Sequence, residues 1–433
     1  MDRISPNYLR GMFAVGRGIV GVLALTTAQC GAGAGLRVEY ERLSTFPRVN
    51  ARGEHVAVAV PLSVVQALIE KKLAERAIEK SFGFPVLGLG IKVALRRVAI
   101  ESTRACAECL GLRVMFDVTA GKQAPASIEV AGEFPVEAAL LGGRVDISLR
   151  LSRARALVLK LAAGWKEKVA AWVAALAPRG LLRKVIQSSV PAVIDKLSSG
   201  VLALARAALA GLGVDLDRFA RFSFALPALK PGTEIPLNSV SVRSTDDSVV
   251  AVATTTLSTS DDPLDGMAIP AGPWALTMLV RGQTLFDAVL YAMSRGLAPS
   301  RFNAKGKPDP KGDFRVSFEW RQRDGGTVRV HFWKLSSPAG VVTLEGKLSL
   351  ALAADRSLEV KTDGLRVVSK RGDFLFEVGV WLKSELWGTT HDMVKKVAIP
   401  ASIKIGGRNV PVSIRRVRVI DSGVVVESDL PTD

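Results

Sequence analysis

Apolar residues recur with two different periods along the chain, and the same order of periods occurs twice. Val56, Val58 and Val60 alternate with small residues, and three- and four-residue spacing follows beyond Pro61 through residues 63–80, which predicts a strand and then a helix. Alternation typical of half-buried antiparallel strands then returns in residues 91–95, 112–118 and 145–151.

Two longer helical patterns close this first part of the chain. One joins Val158, Leu161, Trp165 and Trp172 at helical spacing, and the next extends from residue 181 to about 212. Pro191 lies inside the second pattern, where it is expected to kink the helix or to separate two shorter ones.

The same order of elements returns after a loop-rich stretch. The pattern predicts a strand over 274–280, a helix over 283–295, a hairpin around Asp324 to Gly326 and a helical stripe over 374–397. Since 433 residues exceed the size of most single cores, we predict two tandem domains, at 36–257 and 272–430. The predicted class is α+β, with long amphipathic helices in each domain wrapped by a twisted antiparallel sheet.

The first 29 residues are typical of a secretory signal. Arg3, Arg10 and Arg17 precede an apolar run at residues 18–28, and small residues follow. This run is about half of the roughly 20 residues that a membrane-spanning helix needs. We therefore expect an exported protein, periplasmic or associated with the outer membrane. Cys30 lies where a lipoprotein would be acylated, but Gln29 and Thr27 do not fit the usual site, so loss with the signal remains the alternative.

The formal charge of +17 favours anionic partners, because a long-range positive potential concentrates them. Acidic lipid head groups fit an exported protein and nucleic acid does not, since no basic stripe is interleaved with aromatic residues. The arginines that would form such a head-group site could equally form a solvated face: Arg96, Arg97, Arg150, Arg153, Arg155, Arg415, Arg416 and Arg418.

Few residues of this sequence are of the types that catalyse reactions or bind metal ions. Cys106 and Cys109 lie between two strand patterns, so we expect them to form a local disulfide at a hairpin tip rather than a redox motif, which usually opens a helix. The histidines, His55, His331 and His391, are too scattered for a zinc site. The sequence contains no nucleophile elbow, phosphate-binding loop or metalloprotease motif. We therefore predict no enzyme, metal or cofactor.

Two stretches of the sequence resemble a known family. They are the return that follows the long helix, from Phe222 through Gly232 to Val240 and Val249, and the closing segment from Met393 through Pro400 to Glu427. They are similar to segments of the tubular lipid-binding superfamily of the bactericidal/permeability-increasing and lipopolysaccharide-binding proteins. The resemblance implies two elongated domains that share a central sheet, and it implies binding of lipid or of lipopolysaccharide-like amphiphiles.

Apolar stripes that exceed what a thin sheet can cover predict a groove for acyl chains. Dry core is the alternative for any single residue, and a structural or adhesion module of the bacterial envelope is the alternative function. The residues predicted to line the groove are Leu68, Leu73, Ile186, Ile194, Leu285, Val289, Leu382 and Leu386.

Overall fold

The structure is a computed structural model that describes most of the chain between residues 33 and 429. The described residues are 33–47, 53–74, 79–84, 89–103, 106, 108–120, 126–141, 144–161, 164–176, 183–219, 221–225, 236–257, 276–304, 307–321, 326–352, 358–373, 396–397, 402–405 and 408–429. We call residues 53–257 the first half and residues 276–429 the second half.

The predicted α+β class is wrong, because three antiparallel sheets dominate the molecule. Strands reach 16 residues, and β5 (Ala126–Leu141) is an example. The strand predicted over residues 91–95 is longer in the structure, as β3 (Leu89–Ser102), because the alternation changes phase at a register shift between Leu95 and Arg97. Helices are few among the described residues. Those of the second half contain one helix, which is 13 residues long. The architecture of long helices wrapped by sheet in each domain is therefore not what this chain adopts.

The central sheet combines strands of both halves in the order β19-β20-β11-β1-β10-β9. Val56 of β1 pairs with Val280 of β11, and every neighbouring pair is antiparallel. Its strands are β1 (Val56–Pro61), β9 (Leu237–Ser244), β10 (Ser248–Thr255), β11 (Leu276–Arg281), β19 (Ser413–Ile420) and β20 (Gly423–Asp429). Each half thus supplies its opening strand and its last two strands, in mirrored order about the β1–β11 pair.

A nine-stranded sheet belongs mainly to the first half, and its main path runs β18-β17-β8-β6-β5-β4-β3-β2. β7 pairs with β5 beside this path. Besides β5, its strands are β2 (Glu79–Phe84), β3 (Leu89–Ser102), β4 (Cys109–Ala120), β6 (Arg144–Leu149), β7 (Arg155–Leu161), β8 (Arg221–Ala225), β17 (Ser402–Ile405) and β18 (Arg408–Pro411). The last two come from the second half, so the chain returns across the molecule before it closes.

The second half forms a five-stranded sheet in the order β12-β13-β14-β15-β16. The predicted hairpin is present as β12 and β13, with Arg321 opposite Thr327. The strands are β12 (Phe314–Arg321), β13 (Thr327–Lys334), β14 (Gly340–Leu352), β15 (Leu358–Gly372) and β16 (Lys396–Val397). Most of the predicted helix over 374–397 lies outside the described residues, and its last two residues form β16.

The helices differ from the predicted ones mainly at their ends. They are α1 (33–44), α2 (Leu62–Ala74), α3 (Trp165–Leu176), α4 (Arg183–Phe219) and α5 (Gly282–Ser294). α4 continues through Pro191, so one helix stands where two were considered. Val158 and Leu161, predicted on a helix, lie in β7 instead, because Leu157, Leu159 and Leu161 alternate as strand residues do.

The two halves repeat a side-chain contact as well as the order of elements. In α2, the Gln66 amide donates to the Val98 carbonyl at 2.8 Å and accepts from the Ile100 N–H at 2.9 Å. In α5, Gln283 makes the same pair of bonds to the Phe318 carbonyl at 3.3 Å and the Trp320 N–H at 2.8 Å. Each glutamine takes the place of a neighbouring strand. β12 is the outermost strand of its sheet, and β2 pairs only with residues 89–94 of β3, which leaves the later residues of β3 to Gln66.

Candidate functional site

The first half contains a buried apolar region between a curved sheet and two helices. β7, β5, β4, β3 and β2 are neighbours in that order, and α4 contacts both outer strands of the group, β7 and β2. Since one helix can reach both strands only if the sheet curls, α4 closes the open side, and α3 packs beside it. We call this enclosed region the trough.

Two local contacts hold α4 in this position. Gly200 lies against Phe82 of β2 so closely that a Cβ at this position would come within 2.5 Å of the ring. Near the C-terminal end of α4, Asp217 accepts a hydrogen bond of 2.5 Å from the hydroxyl of Ser152, which lies in the turn that connects β6 to β7. A glycine and an aspartate thus fix where the helix crosses the sheet.

The side chains that face the trough are apolar. From the sheet, they include Val93, Val114, Phe116 and Val130, all fully buried. From α4, they include Val193, Leu197 and Val201, and Trp165, Val169 and Trp172 of α3 are buried in the same cluster where α3 packs on α4. All of them belong to one continuous apolar cluster that also extends into the second half. The described residues of this lining contribute no charged group, so the trough suits a hydrocarbon ligand or a dry core.

The structure places the predicted lining residues in both halves. Ile194 on α4 and Val289 on α5 are buried, and Leu285 packs partly buried against the same cluster. The side chains of Leu68, Leu73 and Ile186 are not described, although their backbones lie in α2 and α4. Leu382 and Leu386 lie outside the described residues, as does Cys30. Of the eight, only Ile194 is a described side chain of the trough.

Six of the eight arginines proposed as a head-group site are paired with carboxylates of the protein. Arg150 and Arg153 both bind Glu137, at 2.7 and 2.6 Å, and Arg415 binds Asp429 at 2.7 Å. Further pairs join Arg96 to Asp117, Arg97 to Glu70 and Arg418 to Glu427. This arrangement favours the solvated-face interpretation for these six arginines, since each of them already has a carboxylate partner in the protein.

A row of charges runs across the outer face of the five-stranded sheet. Arg329 binds Glu345 at 2.8 Å and Glu319 at 3.8 Å, and Arg366 also contacts Glu345. The hydrogen bond from Arg329 lowers the pKa of the Glu345 carboxyl. The hydrogen bond with His331 does the same for the pKa of Glu319. Polar residues on the outside and apolar residues inside make this a two-faced sheet.

One apolar patch interrupts this charged outer face, and α1 covers it. Leu36 packs on Trp333, Ala339 and Val341 in a cluster separate from the main core. Tyr40 contacts the Trp333 ring at 6.0 Å between centroids, and burial raises the pKa of its hydroxyl. α1 is therefore docked on the second half, which the sequence pattern did not predict.

Cys106 and Cys109 form a disulfide at the end of the β3–β4 hairpin. The turn also binds β5, because the Val136 N–H donates to the Glu108 carbonyl at 2.8 Å. Arg155 Nη2 lies 3.3 Å from the Cys109 sulfur. The pair thus lies where β5 passes from its partner β7 to its partner β6, a position that accounts for a structural clip.

The described residues contain no group of three or more histidine, cysteine or acidic side chains that could hold a metal ion. None of their helices combines the length and the apolar character required to span a bilayer.

Comparison with known proteins gives no family. No protein-family model matches the chain, and no curated protein matches it. P47 of Clostridium botulinum E1 is similar in structure, with a TM-score of 0.45 and 10% identity over 88% of this chain and 100% of that chain. P47 from Clostridium botulinum A2 has a TM-score of 0.45 and 9% identity over 88% of this chain and 98% of that chain. Likenesses this distant carry no argument about fold or function.

Proposed function

We propose that this protein binds acyl-chain amphiphiles, lipid or lipopolysaccharide-like, in the trough and carries them outside the cytoplasm. The observation that supports this most is the uninterrupted apolar lining between α3, α4 and the curved sheet. A hydrocarbon chain gains about 0.8 kcal/mol for each methylene moved out of water, so a trough that accepts one chain would bind tightly.

The distribution of charge supports the same proposal. Cross-strand ion pairs such as Arg329–Glu345 keep the outer faces polar, while the formal charge of +17 attracts anionic surfaces from which a lipid could be taken or to which it could be delivered. The signal-like N-terminus and the resemblance to the tubular lipid-binding superfamily belong to this proposal. No reaction is part of it, since a carrier needs only to bind and release.

Two matched substitutions test the proposal. Val201 is fully buried on α4 in the trough, and Val250 is equally buried in a separate cluster on the central sheet. If acyl chains occupy the trough, Val201→Phe displaces them and the protein stays folded, whereas overpacking a dry core costs about 1–3 kcal/mol. We expect Val201→Phe to lower the lipid extracted per mole of protein and Val250→Phe to leave it unchanged while lowering stability.

The measurement is organic extraction of protein purified from its own envelope, followed by lipid mass spectrometry, with urea unfolding of each variant alongside. Equal destabilisation by both variants with unchanged lipid would indicate that the trough is dry core. A wild-type protein that carries no lipid would leave the structural or adhesion module as the better account.

A further inference from the structure

Trp165 carries a polar atom that the protein does not satisfy. It is the first residue of α3 and is 3% exposed, and its ring packs edge-to-face on Trp172 at 5.7 Å between centroids. Its indole nitrogen, Nε1, is buried and has no hydrogen-bond partner in the described part of the chain. A donor taken out of water without an acceptor carries a free-energy penalty that a phenylalanine would avoid.

Two other buried tryptophans in the protein do have acceptors. Trp320 donates from Nε1 to the Asp421 carbonyl at 2.7 Å, and Trp333 donates to the Ser317 hydroxyl at 2.8 Å. Trp172, on the same face of α3 as Trp165, is not among the side chains with a buried unpaired atom. Within this chain an orphaned buried indole is therefore particular to Trp165, as far as the described residues extend.

The position of Trp165 gives a ligand a way to reach this donor. Leu157, Leu159 and Leu161 point to the trough side of β7; the first two pack against the apolar cluster, but Leu161 is 36% exposed. An inward-facing leucine that meets solvent marks the place where the trough opens, and it lies four residues before Trp165. β7 ends at Leu161 and α3 begins at Trp165, so the head of an acyl chain that enters here would lie close to the start of α3, the part of the helix that carries the unpaired indole N–H.

The surroundings favour a neutral acceptor. Lys166 and Lys168, the nearest cationic residues along α3, are exposed and face solvent rather than the trough. A carboxylate buried beside Trp165 would lack a countercharge from the described residues of α3, which is costly in an apolar site. An ester carbonyl accepts a hydrogen bond and carries no charge, so it fits this position better than a free fatty acid does.

We propose that Trp165 Nε1 donates a hydrogen bond to an ester carbonyl of an acyl-ester lipid whose chains lie in the trough. This inference rests on the proposed lipid-binding function and adds the class of ligand and the residue that fixes its depth. Trp165 thus selects ester-linked chains over ether-linked chains of the same length.

The test uses the full-length protein after removal of bound lipid and two probes, dipalmitoyl phosphatidylcholine and its dihexadecyl ether analogue, which lacks both carbonyls. A hydrogen bond of ordinary strength predicts that the wild type binds the ester about 5- to 10-fold more tightly. Trp165→Phe keeps an aromatic ring and removes the N–H, so its preference should fall to about one. Trp333→Phe, which removes an indole N–H outside the trough, is the matched control, and it should keep the preference.

An ester preference that survives in Trp165→Phe, or a wild type that binds both lipids equally, would overturn this inference and leave the lipid-binding proposal intact. Binding of neither probe by the wild type would overturn both. The comparison of the two probes on the wild type does not depend on the variants, so it stands even if Trp165→Phe fails to fold. A shift of the Trp165 indole N–H resonance with the ester and not with the ether gives a second readout.

Discussion

Replacing Gln66 or Gln283 with methionine should lower the stability of the half of the molecule that contains the substituted residue. Methionine keeps the length of the side chain but neither donates nor accepts strongly. At Gln66 it removes the two bonds to β3 and a third to Glu70 at 2.7 Å; at Gln283 it removes the two bonds to β12 and one to Asp287 at 3.1 Å.

The magnitude follows from the two bonds that join helix to strand at each site. A net contribution of about 1 kcal/mol for each bond gives a loss of about 2 kcal/mol of stability. The loss is larger where the backbone N–H and carbonyl left behind stay buried without a partner. Because the glutamines serve different strands and share no partner, the double variant should lose about the sum of the two.

The assay is hydrogen exchange by mass spectrometry, because a chain of this size need not unfold in one step. In Gln66→Met, peptides that contain the Ile100 amide should exchange about 10- to 30-fold faster, as 2 kcal/mol of local stability requires. Peptides from β12 should be unchanged in this variant and faster in Gln283→Met. Unchanged exchange at both strands would refute the idea that these glutamines act in place of a missing strand.

Three further predictions concern the outer faces of the sheets and the N-terminal helix. The lowered pKa of Glu345 means that its bond with Arg329 stabilises the fold above the ordinary value of 4.5 and that this contribution is lost as the pH falls through the folded-state pKa. The stability gap between wild type and Glu345→Gln, measured by urea unfolding, should therefore narrow below pH 4.5; a constant gap would contradict this. Replacing Cys106 and Cys109 with serine should lower stability by at most about 2 kcal/mol and leave extracted lipid unchanged, because the closed loop is short; thiol–disulfide turnover lost in the double variant would show a redox role instead. Leu36→Asp should release α1, which limited proteolysis would detect as new cleavage near residues 33–44 with the remainder intact; unchanged protection would show that α1 does not depend on its apolar patch.

The order of elements could be predicted from the sequence where apolar residues keep one regular spacing over a short segment. The strand at Val56–Val60, the helix after it and the hairpin that joins β12 to β13 are present in the structure, because tight turns and alternation are local signals. The doubling of the strand–helix–sheet order also appears, as mirrored positions about the β1–β11 pair.

The balance of helix and sheet could not be predicted, because it depends on partners distant in sequence. Charged residues such as Arg113 lie on solvent faces of long strands, where Glu101 on the neighbouring strand pairs with them at 2.7 Å. A register shift between Leu95 and Arg97 changes the phase of the alternation in β3, so the sequence predicted that strand only over residues 91–95. Leu161 lies four residues before Trp165, so its spacing matched that of the helix that follows. In the structure it ends β7, in which leucines alternate as strand residues do.

The lining of the proposed site remains a prediction, and the structure describes few of the residues predicted for it. Apolar stripes indicated a hydrocarbon interior, but burial against the curved sheet decides which side chains face it, and of the predicted set Ile194 is the described residue there. The unsatisfied indole of Trp165 and the docking of α1 have no local sequence signal, since both depend on what lies opposite them in space.

Native mass spectrometry of the wild-type protein, purified without added detergent, shows whether lipid is bound. We expect a folded species heavier than the protein alone by the mass of one or more acyl-ester lipids, which collisional activation or organic solvent removes. A single folded species at the mass of the protein alone, with no lipid in the organic extract, would contradict the lipid-binding proposal.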